Sequence, residues 1–148
     1  MAEADERRYH TPIGELTHAQ LRERVRVMEP GIVYFRELPG GDCDNFEAML
    51  GIVRELGEPM GTFVVIIDLG DATRPSPALL EKLLEATRTI GIRWCAVQST
   101  SRLMKAVVEF VLRRMLRNKP HTVHSSLEEA LVEARRALAE HRSDSMPS

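Results

Sequence analysis

Two cysteines, Cys43 and Cys95, are all that the 148 residues contain. They show no CxxC or other metal-ligand spacing, which argues against a disulfide scaffold and a thiolate zinc site and fits a reduced, cytoplasmic protein. Long apolar runs are also missing. None approaches the ~20 residues that a membrane span needs, and the polar, acidic start Met1-Ala2-Glu3-Ala4-Asp5-Glu6 has no signal-peptide core. Membrane insertion is therefore not expected. Neither sign of charge dominates, with 20 basic against 22 acidic residues and a net charge of -2, so nothing in the balance attracts nucleic acid. The phosphate-cradling patterns GxxxxGK[ST] and GxGxxG are absent, as is the GxSxG of serine hydrolases. No cofactor, metal or catalytic set is expected, and neither repeats nor low-complexity segments occur.

What is present reads as one globular domain, with 43% hydrophobic residues and enough length to bury a core. Its organising stretch runs from Thr62 to Leu80. Phe63-Val64-Val65-Ile66-Ile67 is a β-branched and apolar run without polar alternation, as a strand covered on both faces requires, and it predicts a central strand ending at Asp68. Gly70 and Asp71 lead out of the sheet. Ser76-Pro77 opens a helix, with serine as cap and proline at the first helical position.

Around this stretch, residues 1–19 lack periodicity and read as a mobile arm with a short ordered piece near Leu16; residues 20–141 form the domain, and 142–148 a fraying tail. Alternation from Leu21 through Val25 and Val27, a turn at Glu29-Pro30-Gly31 and the run Ile32 to Arg36 predict an antiparallel hairpin. Asp42 or Asp44 caps a helix bearing Phe46, Met49, Leu50, Val53 and Leu56, with Glu47 in capping-box relation to Asp44; Gly57 and Pro59 stop it. Leu79, Leu80, Leu83 and Leu84 stripe the helix after Ser76. A strand follows at Arg93–Gln98, then a helix from Leu103 to Met115 that is apolar around more than half its girth. His121–His124 reads as an edge strand, and Ser125-Ser126 caps a last helix with Leu127, Ala130, Leu131, Ala134 and Leu138 inward. The order β-β-α-β-α-β-α-β-α implies an α/β domain with a single mixed sheet of about five strands, antiparallel at the first hairpin and parallel afterwards.

This order, the central strand with its polar loop and capped helix, and the closing segment Val123-His124-Ser125-Ser126-Leu127-Glu128-Glu129-Ala130-Leu131 resemble the sulphate-transporter and anti-sigma-factor-antagonist (STAS) domain family, in particular its divergent branch grouped with small lipid-transfer-like domains. The resemblance covers roughly Leu21 to Leu138. It implies a non-enzymatic module that binds protein partners, in some members under control of serine phosphorylation in an Asp-Ser-Ser/Thr-Gly run after the central strand. Here the matching segment is Arg74-Pro75-Ser76-Pro77-Ala78. One serine survives, whereas the acid, the second hydroxyl and the glycine do not.

The candidate partner-binding or phosphoacceptor residues are Asp68, Asp71, Thr73, Arg74, Ser76, Ser99 and Ser101. Phosphate on Ser76 would meet free helix amides with Arg74 close by, although a neutral capping serine needs no such role. Asp68, Asp71 and Thr73, near Ser99, Thr100 and Ser101, hold oxygens suited to Mg²⁺, yet Asx-turns and helix caps use the same residues. His121 and His124, three apart on a strand, point to opposite faces and make a poor chelate. Trp94, if outward, would anchor an interface. A second function class is a small-ligand or lipid carrier with a cavity lined by the Leu103–Met115 helix and the preceding leucine stripe. Surplus apolar surface on the same helix predicts a homodimer.

Overall fold

Residues 7–38, 42–69, 77–97 and 121–145 are described by the computed structural model of the chain. Its first elements differ from the sequence expectation. Arg8–Thr11 (β1) and Gly14–Thr17 (β2) pair antiparallel as a separate two-stranded sheet, where an unstructured arm was expected. The Thr11 hydroxyl closes the turn by donating to the Gly14 carbonyl at 2.6 Å. Tyr9 and Leu16, opposite each other in the register, pack against the core, and the Asn45 amide donates to the His10 carbonyl. A single apolar pair in two four-residue strands leaves no periodicity to read, so the anchoring is tertiary.

Thr17 then caps a short helix, His18–Arg22 (α1), in a reciprocal box with Gln20. Leu21, expected in a strand, lies in this helix and is fully buried. The hairpin itself comprises Val25–Glu29 (β3) and Ile32–Arg36 (β4), turning at Pro30-Gly31, with a bulge between Val27 and Glu29. Gly31 has φ +87°, which glycine adopts at no steric cost.

The helix Cys43–Gly57 (α2) is capped by Asp42, the first of the two expected candidates, and its box partner is Asn45, so the Asp44–Glu47 box does not form the cap: the Asn45 N–H donates to Asp42 Oδ1 at 2.8 Å and the Asp42 N–H to Asn45 Oδ1 at 3.1 Å. Asparagine serves better here because its amide can accept from the cap and still donate to His10. At the other end Gly57 is buried against the Phe63 ring, where a Cβ would come within 2.5 Å of Phe63 Cε2. A 3₁₀ turn, Glu58–Met60, leads to Val64–Asp68 (β5). Next come Pro77–Thr89 (α3), Arg93–Val97 (β6), His121–His124 (β7) and Leu127–Ser145 (α4). The last helix continues beyond the boundary expected for a fraying tail.

The main sheet is mixed, in the order β3-β4-β5-β6-β7, with β3 antiparallel to β4 and the other pairs parallel. β5 is its middle strand, and Val64, Val65, Ile66 and Ile67 are buried on both faces. One face (Val33, Phe35, Val65, Ile67, Trp94) packs on α2 and α3 through Phe46, Met49, Val53 and Ala86, and on Ile90 just after α3. Trp94 is core, not an outward anchor: its ring stands edge-on to Phe35 with centroids 5.9 Å apart, and its N–H donates to the Ile90 carbonyl. The other face (Ile32, Val64, Ile66, Cys95, Val97) packs under Ala130, Ala134, Ala137 and Leu138 of α4, where the three alanines let the helix lie close.

Candidate functional site

α4 begins at the carboxyl end of β7 and reaches the amino end of β4 at Leu138. Its start is capped by Ser126 and Glu129; farther along, Arg135 makes two 2.8 Å hydrogen bonds to Glu29, and Leu138 lies against Gly31. Arg93 and Arg136 both pair with Glu133, whose carboxyl is held below its usual range mainly by Arg136, adding a fastening to β6. A helix laid diagonally in this way leaves the corner formed by the amino end of β3 and the carboxyl ends of β4 and β5 beyond its path. The side chains at that corner are charged or polar.

Strand alternation and register assemble them. Ile32 and Tyr34 face α4, so Arg36 follows on the same side; parallel pairing puts Arg36 beside Asp68, and antiparallel pairing puts Arg26 opposite Tyr34. The Tyr34 hydroxyl donates to Asp68 Oδ2 at 2.6 Å, and the Arg26 guanidinium lies 5.3 Å from the centroid of the Tyr34 ring, within cation–π range. Arg26 and Arg36 are exposed, whereas Tyr34 and Asp68 are half-buried. Burial first, and then the Asp68 carboxylate, push the Tyr34 phenol up to about 12 against the opposing charges of Arg36 and Arg26. At neutral pH it is a fixed hydrogen-bond donor, not a base or nucleophile.

The backbone beneath is firmly tied. Arg24 donates from Nε to the Arg36 carbonyl and from a terminal nitrogen to the Glu37 carbonyl, each at 3.0 Å. The Glu37 N–H donates to the Asp68 carbonyl, and the Leu69 N–H to the Val97 carbonyl, so the ladder continues one step past the strand ends. Glu37 itself turns to the opposite face and is buried, its Oε1 accepting from the Leu38 N–H. Burial raises its carboxyl to about 7, only partly offset by that hydrogen bond and by Arg24.

Of the residues singled out from sequence, Asp68 lies at this corner. Asp71, Thr73, Arg74, Ser76, Ser99 and Ser101 lie outside the described residues, as do Thr100 and the Leu103–Met115 helix that carried the carrier and homodimer expectations. α3 begins at Pro77, next to Ser76. His124 Nε2 is 2.7 Å from the Thr122 hydroxyl, which also bonds Cys95, a buried thiol pushed up by desolvation. Among the described residues, no three His, Cys, Asp or Glu side chains are grouped to hold a metal, and no helix is long and apolar enough to cross a membrane. The sequence reading missed Arg26, Tyr34, Arg36 and Glu37. The alternation Ile32, Tyr34, Arg36 was there to be read, but its meeting with Asp68 depends on register.

No protein-family model, no curated protein and no solved structure matches the chain.

Proposed function

We propose that the chain is a non-enzymatic, cytoplasmic protein-interaction module of STAS-like fold, working through the carboxyl-end rim of its main sheet. The observation that carries this reading is the Tyr34–Asp68 pair flanked by Arg26 and Arg36, a polar surface held rigid by the strands beneath it. Its phenol stays protonated and its carboxylate is engaged by that phenol, so the chemistry suits recognition better than bond-breaking. Fixed side chains lower the ordering cost of docking. The free thiols of Cys43 and Cys95 fit a reducing compartment. Ser76, one residue before α3, is the proposed control point, because a phosphate there meets the positive end of the helix.

The test is affinity capture from native lysate with wild type, Asp68→Ala, Arg36→Glu, Ser76→Ala and Ser76→Asp, each checked for native circular dichroism. Wild type should retain a defined partner that the two rim variants lose, and Ser76→Asp should alter its recovery while Ser76→Ala does not. Identical recoveries from folded wild type and rim variants would overturn the assignment of the surface.

A further inference from the structure

We infer that the outer edge of β3 takes up an extended segment of a protein partner as a sixth strand, with a carboxylate opposite Arg26 and a β-branched residue opposite Val27; this rests on the interaction-module reading above. β3 is the first strand in the sheet order and has β4 on one side only. The Arg36 N–H donates to the Arg24 carbonyl at 2.9 Å, which sets the phase of the ladder: the backbone groups of Arg26 meet those of Tyr34, while Val25 and Val27 turn their N–H and C=O groups away from β4. The far side of β4 agrees, since its odd-numbered backbone groups turn to β5 and the Val64 N–H donates to the Gly31 carbonyl at 2.8 Å. Among the described residues, nothing outside the ladder bonds the Val25 or Val27 backbone, and Val27 is 41% exposed.

A second copy of the chain is a poor occupant. Two-fold antiparallel pairing has to match outward backbone groups with outward backbone groups, which allows three registers. Val25 with Val25 sets Arg24 against Arg26, Val25 with Val27 sets Arg26 against Arg26, and Val27 with Val27 leaves the two Arg26 side chains diagonal neighbours. Every register brings arginines together. A charge in the middle of a short strand and a bulge just after Val27 are devices that blunt an edge against its own kind.

The same charge suits an acidic partner. Arg26 is exposed over the Tyr34 ring, and Glu29, the acid of its own strand, is engaged by Arg135 through two hydrogen bonds. Arg26 lies on the α4-facing side with Tyr34, and Val27 on the other side with Val33. An added strand therefore needs an acidic and a β-branched residue next to each other, so that one falls on each face. Backbone bonds to Val25 and Val27 would supply affinity, and the two side-chain matches selectivity.

The experiment is a ¹⁵N-correlation NMR titration of the full chain with a synthetic peptide alternating valine and glutamate, against the same peptide with glutamine for glutamate and a third N-methylated on its valines. The first peptide should shift amides 25–29, slow solvent exchange of the Val27 amide and leave α3 unmoved. The glutamine peptide should bind roughly threefold more weakly, and the N-methylated one not at all. Val27→Pro removes an N–H that β4 does not use, so it should keep native circular dichroism and lose binding. Arg26→Glu should weaken binding about tenfold, whereas Arg88→Glu, on exposed α3, should not. Equal binding of the N-methylated peptide, shifts elsewhere, no shifts at millimolar peptide, or a wild-type dimer in light scattering that Val27→Pro dissolves would each overturn the inference; should Val27→Pro misfold, the N-methylated peptide decides. If the peptide fails while partner capture still depends on Asp68 and Arg36, the edge inference alone falls. If Val27→Pro loses the captured partner while Asp68→Ala and Arg36→Glu retain it, the rim assignment alone falls.

Discussion

Replacing Glu37 with glutamine should make the protein more stable at alkaline pH than the wild type. Glu37 is only 6% exposed, and its carboxyl titrates at about 7 instead of the ordinary 4.5 because burial penalises the charged form. A carboxyl raised in the folded state contributes most below the unfolded value and loses that contribution as pH climbs through the folded one. Wild-type stability should therefore fall between about pH 4.5 and 7 and then level off. At about 1.4 kcal/mol per pH unit, the rise from 4.5 to about 7 corresponds to a loss of about 3 kcal/mol. Against a typical total of about 5–15 kcal/mol this is large. Glutamine keeps an oxygen to accept from the Leu38 N–H and never ionises, so Glu37→Gln should abolish that part of the slope. The attraction to Arg24 is lost with the charge, which makes the gain at pH 8 somewhat smaller than the full figure. Urea unfolding of both proteins at half-unit steps from pH 4.5 to 8.5 is the assay. Parallel stability curves, with the variant offset by a constant or not at all, would refute the claim that a buried carboxyl at this strand end titrates near neutrality.

Tyr34→Phe should cost about 1.5–3 kcal/mol in urea unfolding by removing the hydrogen bond to Asp68, and ultraviolet titration should show one phenol ionising near pH 12 in the wild type that is absent from the variant. Asp42→Ala should lower stability by about 1 kcal/mol through loss of the α2 cap, whereas Asp44→Ala should not, a contrast readable in thermal melts. Gly57→Ala should destabilise by about 1–3 kcal/mol, because the new methyl would meet the Phe63 ring, and Phe63→Leu in the same background should recover part of the loss.

Much of the fold was legible along the chain. The short, β-branched, unbroken apolar run 63–67 marks a strand covered on both faces, and it is the third of five. Turn and cap residues such as Pro30-Gly31, Asp42 and Ser126 mark ends through local backbone chemistry, which does not depend on distant residues. Where the signal was short, reading failed: β1 and β2 offer one apolar pair between them, and α1 is five residues long.

By itself, then, the amino-acid order determined the α/β class, the central place of 63–68 and the mixed character of the sheet, because hydrophobic period and end-capping are properties of neighbouring residues. Only the tertiary structure decided that Trp94 is interior, that Arg26 stacks on Tyr34, that Tyr34 reaches Asp68, and that Glu37 is buried as a carboxyl titrating near neutrality. Each of these depends on which strand lies beside which, in what register, and on where α4 leaves the sheet. Such relations arise between residues far apart in the chain, and no local pattern encodes them.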